Sequence, residues 1–246
     1  MIIGVQNLST LVSGQDAYDM TLLVNRQLRD HVAPQWGLLP HGVVFLPNGA
    51  QGIRYDAIIG IMDDATQAGD LGWHTEGPDA DVYGRVFARP VLDNGGNALT
   101  ADLSVCSVLS HEAIETLGDS ACDLWAQRAD GTLIARELGD PVESDSYRLT
   151  IASETGETVT GTVSDFVLPA WFDPNASVGS KDHMGLVTSP FEVRPTGYVI
   201  TMTDGTVSQQ WGEQYPEWRK ATKESPLSRT ARRGGVPSAA NLTELA

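Results

Sequence analysis

The sequence predicts an α+β chain in three stretches: an α/β part over residues 1–119, a β-hairpin-rich part over 120–212 packed on it, and an extended basic tail over 213–246. Three observations carry this reading. Short apolar runs of strand length alternate with two amphipathic helical stripes up to residue 119. Beyond that point Asp130-Gly131, Glu154-Thr155-Gly156 and Asp204-Gly205 each fall between two short β-like runs, as hairpin turns do. The charge then changes sign: the whole chain carries a formal net charge of −16, yet residues 213–246 hold six Lys/Arg against four Asp/Glu.

Taken in order, Ile2–Gln6 is a short apolar strand. Ser13 is placed to cap a helix over about Gln15–His31, because Ala17, Met20, Leu23, Val24 and Leu28 share one stripe. Pro34 is expected to stop that helix, since it lacks an N–H and its ring crowds the preceding turn. Gly42–Leu46 and Ala57–Met62 are β-like runs, followed by an acidic, Gly-containing loop. Leu71–His74 and Tyr83–Ala88 read as two further strands, and a helix over roughly Ala101–Leu117 closes the first part. The order β-α-β-β-β-β-α makes a mixed sheet followed by one helix of special interest.

Bulk properties exclude several classes. A chain of 246 residues with 41% hydrophobic and 20% charged residues has the composition of a globular protein and can bury a core. Its longest apolar runs fall far short of the ~18–20 residues of a membrane span. The opening Met1-Ile-Ile-Gly-Val-Gln-Asn has neither a basic region nor an apolar stretch, so no signal peptide is expected. Two cysteines, Cys106 and Cys122, cannot build a disulfide framework. A body this acidic repels phosphates, which disfavours a nucleic-acid partner. The sequence contains no Walker loop, no Gly-x-Gly-x-x-Gly and no Gly-x-Ser-x-Gly, so nucleotide-binding and serine-hydrolase readings lack support.

The helix before residue 119 carries Ser110-His111-Glu112-Ala113-Ile114-Glu115-Thr116-Leu117-Gly118-Asp119. At about 100° per residue, His111 and Glu115 lie one turn apart on one face, about 40° from each other. Leu103, Cys106, Leu109, Ala113, Ile114 and Leu117 lie mostly opposite, toward a core, and Cys106 reads as a packed residue. Such a helix can set two ligands on one divalent metal, with Glu112 to the side as general base for an attacking water. Gly118 ends the helix, and Asp119, or Asp123 beyond it, can swing back as a third ligand. A carboxylate in place of a second imidazole weakens Lewis acidity at the metal; zinc is the first expectation, with manganese, iron or calcium compatible with the oxygen-rich set. The alternative is a plain acidic, solvated helix face without metal.

Further candidates surround this helix in sequence. His74 is either a ligand or substrate contact, or a histidine at the surface or satisfied in the core. Glu137, Asp140 and Glu143 follow a strand and either complete the metal site, bind calcium, or form an acidic turn bent by Pro141. Asp165 is expected to anchor the β part, and Trp125, Trp171 and Phe172 to be core.

The strand ending Leu71-Gly72-Trp73-His74, the strand Arg85-Val86-Phe87-Ala88 and the helix carrying His111-Glu112 resemble metzincin-type zincins. In that fold five strands and a helix precede the active-site helix, and Gly118 stands after Glu115 as a glycine follows the second ligand there. The resemblance implies His111 as first ligand, Glu112 as general base and Glu115 as a replaced second ligand. The family's third histidine falls on Ala121, so Asp119 or Asp123 would substitute; Met184 and Met202 are the methionines available for a Met-turn. Uncharacterised bacterial and bacteriophage proteins are also similar over most of residues 1–212. The shared strings are Leu71–His74, Ser110–Asp119, Asp140-Pro141-Val142-Glu143 and Val163–Phe166 with Pro169-Ala170-Trp171-Phe172.

Two functional expectations follow. One is a structural protein of an assembly, a bacteriophage particle above all, in which a zincin-like metal-binding domain is the building block. The basic tail 213–246 would then lie on an acidic neighbour, in a homo-oligomer or as a virion component that is cytoplasmic before assembly. The other is a metallohydrolase of the peptidase kind, with a metal held by His111, Glu115 and Asp119 and Glu112 as base.

Overall fold

The computed structural model describes residues 1–38, 41–47, 53–65, 70–77, 81–153 and 156–223. Residues 224–246 of the expected tail and Glu154-Thr155 of the second expected turn lie outside them. The fold is mixed α+β. Its first sheet has five strands: β1 (Ile2–Asn7), β2 (Gly42–Leu46), β3 (Ala57–Met62), β4 (Gly72–Glu76) and β5 (Val82–Phe87). Their order is β2-β1-β3-β5-β4, with every neighbouring pair parallel except β4, which runs antiparallel to β5 at the sheet edge.

Helix α1 (Gly14–Gln27) starts where Ser13 predicts, its side chain accepting from the Asp16 N–H. Pro34 does not stop the helical path. A π turn over Leu28–Val32 follows α1 and leads into α2 (Ala33–Trp36), which ends at Gly37 with φ of 61°. In an unbroken α-helix the Pro34 ring would crowd the Asp30 carbonyl; the wider turn absorbs that conflict. A short helix, α3 (Ala88–Asp93), follows β5 directly and was not expected.

Helix α4 (Val105–Gly118) begins four residues later than its apolar stripe suggests. The Ser104 and Ser107 hydroxyls each accept from the other's backbone N–H, forming a capping box. Ahead of it the Asn97 side chain accepts from the N–H groups of Leu99, Thr100 and Ala101 and holds that stretch as a turn. Every residue of α4 from Val105 to Leu117 is buried, so its polar face is no solvated surface.

The β part comprises β6 (Trp125–Gln127), β7 (Leu133–Ala135), β8 (Ser146–Ala152), β9 (Thr158–Ser164), β10 (Tyr198–Thr203) and β11 (Thr206–Trp211). It does not pack as one body. The β8–β9 hairpin lies on α1 and α4, and Val159 and Val163 enter the main core with Ile3, Ile59, Leu23, Leu109 and Ile114. The antiparallel sheet β11-β10-β7-β6 has separate cores around Ile134, Trp171 and Val199 and around Tyr198 and Ile200. Asp204-Gly205 makes its two-residue turn, with φ of 49° and 77°, as a type I′ hairpin requires.

A buried polar bridge ties α1, α4 and β9 together. The Ser110 hydroxyl donates to Gln27 Oε1 at 2.5 Å and accepts from the Ser164 N–H at 2.9 Å, while Gln27 Nε2 donates to the Ser164 carbonyl at 2.7 Å. Cys106 is fully buried, and burial pushes its thiol pKa up to about 12, as a packed residue requires. The segment after β11 docks on its own chain, burying Tyr215 and, from α5 (Glu217–Lys223), Arg219. Among the described residues, no helix is long and apolar enough to cross a membrane.

Candidate metal centre

Helix α4 and the loop after β7 build the centre. His111 and Glu115, one turn apart, place His111 Nε2 3.1 Å from Glu115 Oε1. Asp140 is brought to the same nitrogen, its Oδ1 at 3.4 Å, by a loop that turns through the short 3-10 helix Asp140–Val142. Pro141 therefore makes the turn, and the turn delivers the carboxylate. All three side chains are buried, and each offers a ligand atom within 4.8 Å of the others.

Two glycines make this convergence possible. A Cβ on Gly139 would stand 2.5 Å from His111 Nδ1, so the bare backbone forms the seat of the imidazole. A Cβ on Gly72 would stand 2.8 Å from Glu112 Oε1, so Glu112 can lie against β4. Both close approaches require the absence of a side chain.

The edge strand supplies the second histidine. His74, on β4, is wholly buried, with Nδ1 3.4 Å from Glu112 Oε2 and 3.6 Å from Glu115 Oε2. Its Nε2 lies 3.1 Å from the Asp119 carbonyl oxygen and 3.2 Å from Cys122 Sγ. Glu137, one turn of loop before Asp140, joins His74 and Glu115 in a second buried triad.

The remaining candidates go elsewhere. The Asp119 carboxylate accepts from the backbone N–H groups of Asp123 and Leu124 and thus closes the turn after α4; it belongs to neither triad. Asp123 is exposed. Glu143 pairs with Arg219 at 2.6 Å, with both side chains largely buried. Asp165 accepts from the N–H groups of Phe166 and Met184, which anchors the β part through the 182–187 loop.

Electrostatics mark the centre as a place for positive charge. Burial opposes an imidazolium at His111, yet Glu115, Asp140 and Glu112 outweigh it and raise the pKa to about 10. Burial also opposes protonation of His74, and there Cys122, Glu112 and Glu137 prevail and hold its pKa well above the usual value. The same carboxylates would draw a metal cation to these nitrogens, in competition with the proton.

A pocket of about 300 Å³ opens beside the centre. Its wall includes Gly72 from β4, His111 and Glu112 from α4, Ser144 from the following loop, and Trp218 and Arg219 from α5. Sequence reasoning missed these last two, because they fall in the stretch assigned to the tail and no local signal marks them. It also missed Cys122, whose place behind His74 depends on the turn after α4.

No protein-family model, curated protein or solved structure matches this chain.

Proposed function

We propose that the protein is a metal-dependent hydrolase of the peptidase kind, built on a zincin-like arrangement of sheet and helix. The observation that carries this reading is the convergence of Glu115 Oε1 and Asp140 Oδ1 on Nε2 of His111, a residue that lines a pocket together with Glu112. The donor set fits a divalent transition metal. Oxygen and nitrogen atoms 3.1 and 3.4 Å apart have the spacing of two ligands each about 2.0–2.1 Å from one tetrahedral ion. His111, Glu115 and Asp140 would hold the ion, with zinc, manganese and iron all compatible with one imidazole and two carboxylates. When bound, the metal supplies Lewis acidity toward a substrate carbonyl.

The chain's own groups supply the rest. Glu112 sits in the pocket wall and is positioned as general base, taking a proton from the attacking water and returning it to the leaving amine. Strand β4 ends the sheet, and its Gly72 and the preceding Leu71 border the pocket. An extended peptide laid along that edge would add a strand and bring a backbone carbonyl over the centre. The architecture supports the zincin-like comparison: five strands and the α1 crossover precede α4, with α3 as an insertion before it.

Glu112→Gln tests the reading. The variant should keep its metal by elemental analysis and lose hydrolysis of a casein substrate by at least ~100-fold. Purified protein without stoichiometric metal, or Glu112→Gln with undiminished turnover, overturns it.

A further inference from the structure

The two buried triads share a single residue, Glu115, and divide its carboxylate between them. We infer that His74, Glu115 and Glu137 bind a second divalent cation, so that Glu115 bridges a two-metal centre. This rests on the reading of His111, Glu115 and Asp140 as the first site and extends it.

The position of His74 argues for it first. Its Nδ1 lies 3.4 Å from Glu112 Oε2 and 3.6 Å from Glu115 Oε2. One ligand atom each of His74, Glu115 and Glu137 lies within 4.8 Å of the others, and all three side chains are buried. On the far side of the ring, Nε2 lies 3.1 Å from the Asp119 carbonyl oxygen, the kind of outer contact that fixes ring orientation in metal-binding histidines.

Charge argues next. Glu112, Glu115, Glu137 and Asp140 bring up to four negative charges into one buried volume, while the Asp119 carboxylate is met separately by two backbone N–H groups. The geometry of Glu115 completes the argument. Its Oε1 faces His111 and its Oε2 faces His74, the disposition of a carboxylate that bridges two ions. The donors of each triad, one imidazole and two carboxylates, suit the same borderline metals.

The competing arrangement is a single metal with His74 as a buried imidazolium. Manganese distinguishes them. The full-length chain, stripped by a chelator and dialysed, is titrated with Mn²⁺ and read by elemental analysis and by electron paramagnetic resonance. Two Mn²⁺ per chain with an exchange-coupled spectrum is the expected result, and Glu137→Gln and His74→Gln should each retain one ion with an isolated-ion spectrum. One Mn²⁺ per wild-type chain, lost in Asp140→Asn but kept in Glu137→Gln, overturns the second site and leaves the first intact. A chain that binds none overturns both. Circular dichroism before metal addition separates loss of fold from loss of a ligand. Should Glu137→Gln not fold, the stoichiometry and spectrum of the wild-type chain decide the question.

Discussion

Glu115 turns one carboxylate oxygen toward each of two histidines, with Oε1 3.1 Å from His111 Nε2 and Oε2 3.6 Å from His74 Nδ1. The first histidine is its helical neighbour, and the second comes from a strand 41 positions earlier. Removing this link costs stability with and without metal, by different amounts. Without metal, Glu115→Gln takes away the carboxylate that most favours a buried imidazolium at His111, so the variant should unfold at a lower temperature than wild type in chelator. With metal, wild type should gain stability and the variant should gain little, its affinity reduced by ~100-fold or more, so the gap widens. Thermal unfolding in paired chelator and metal buffers measures both gaps.

The glycine seats separate metal binding from proton transfer. Gly139→Ala drives a methyl group into His111 Nδ1 and should weaken metal binding at least ~10-fold in a chelator competition, at a stability cost of about 1–3 kcal/mol. Gly72→Ala instead meets Glu112 Oε1 and Cγ. It should lower turnover while metal content stays stoichiometric.

The Glu143–Arg219 pair holds α5 against the pocket at 2.6 Å, with side chains only 5% and 10% exposed. Removing one member strands a buried charge. Glu143→Ala and Arg219→Ala should each cost about 3 kcal/mol in urea denaturation, and the double variant less than the sum of the two. Trp218, next to Arg219 and part of the pocket wall, reports release of α5 by its fluorescence.

Asp165 makes stability depend on pH in an unusual direction. Burial first, and the neighbouring Asp182 carboxylate second, raise its pKa to about 8, against ~3.9 in the unfolded chain. The folded state therefore holds a proton that the unfolded state has released. The contribution is fully present below about pH 4 and is lost as pH rises toward about 8. Asp165→Asn keeps an oxygen for the Phe166 and Met184 N–H groups and removes the titration. Its stability relative to wild type should rise between pH 4 and pH 8 by on the order of 2 kcal/mol, measured by urea unfolding across that range.

Local pattern made part of this molecule legible. The strand runs at Ile2, Gly42, Ala57, Leu71 and Tyr83 needed only apolar periodicity, and Ser13 announced α1 through the chemistry of its cap. Where a second local signal competed, the apolar stripe misled: Ser104, Ser107 and Asn97 moved the start of α4, and the π turn carried the helical path through Pro34.

By itself the sequence determined that His111, Glu112 and Glu115 would stand together, because helical rotation fixes the relation of residues three and four apart whatever surrounds them. It also marked His74, Glu137 and Asp140 as residues of the right chemical kind. Only the tertiary structure decided which carboxylate reaches which histidine. Asp119, closest in sequence, is drawn to the backbone N–H groups of its own turn, and Asp140 arrives because glycine at 139 lets a loop close onto an imidazole. Arg219 reaches Glu143 across 76 positions for the same reason: contacts between distant segments depend on how whole elements pack, which no local spacing encodes.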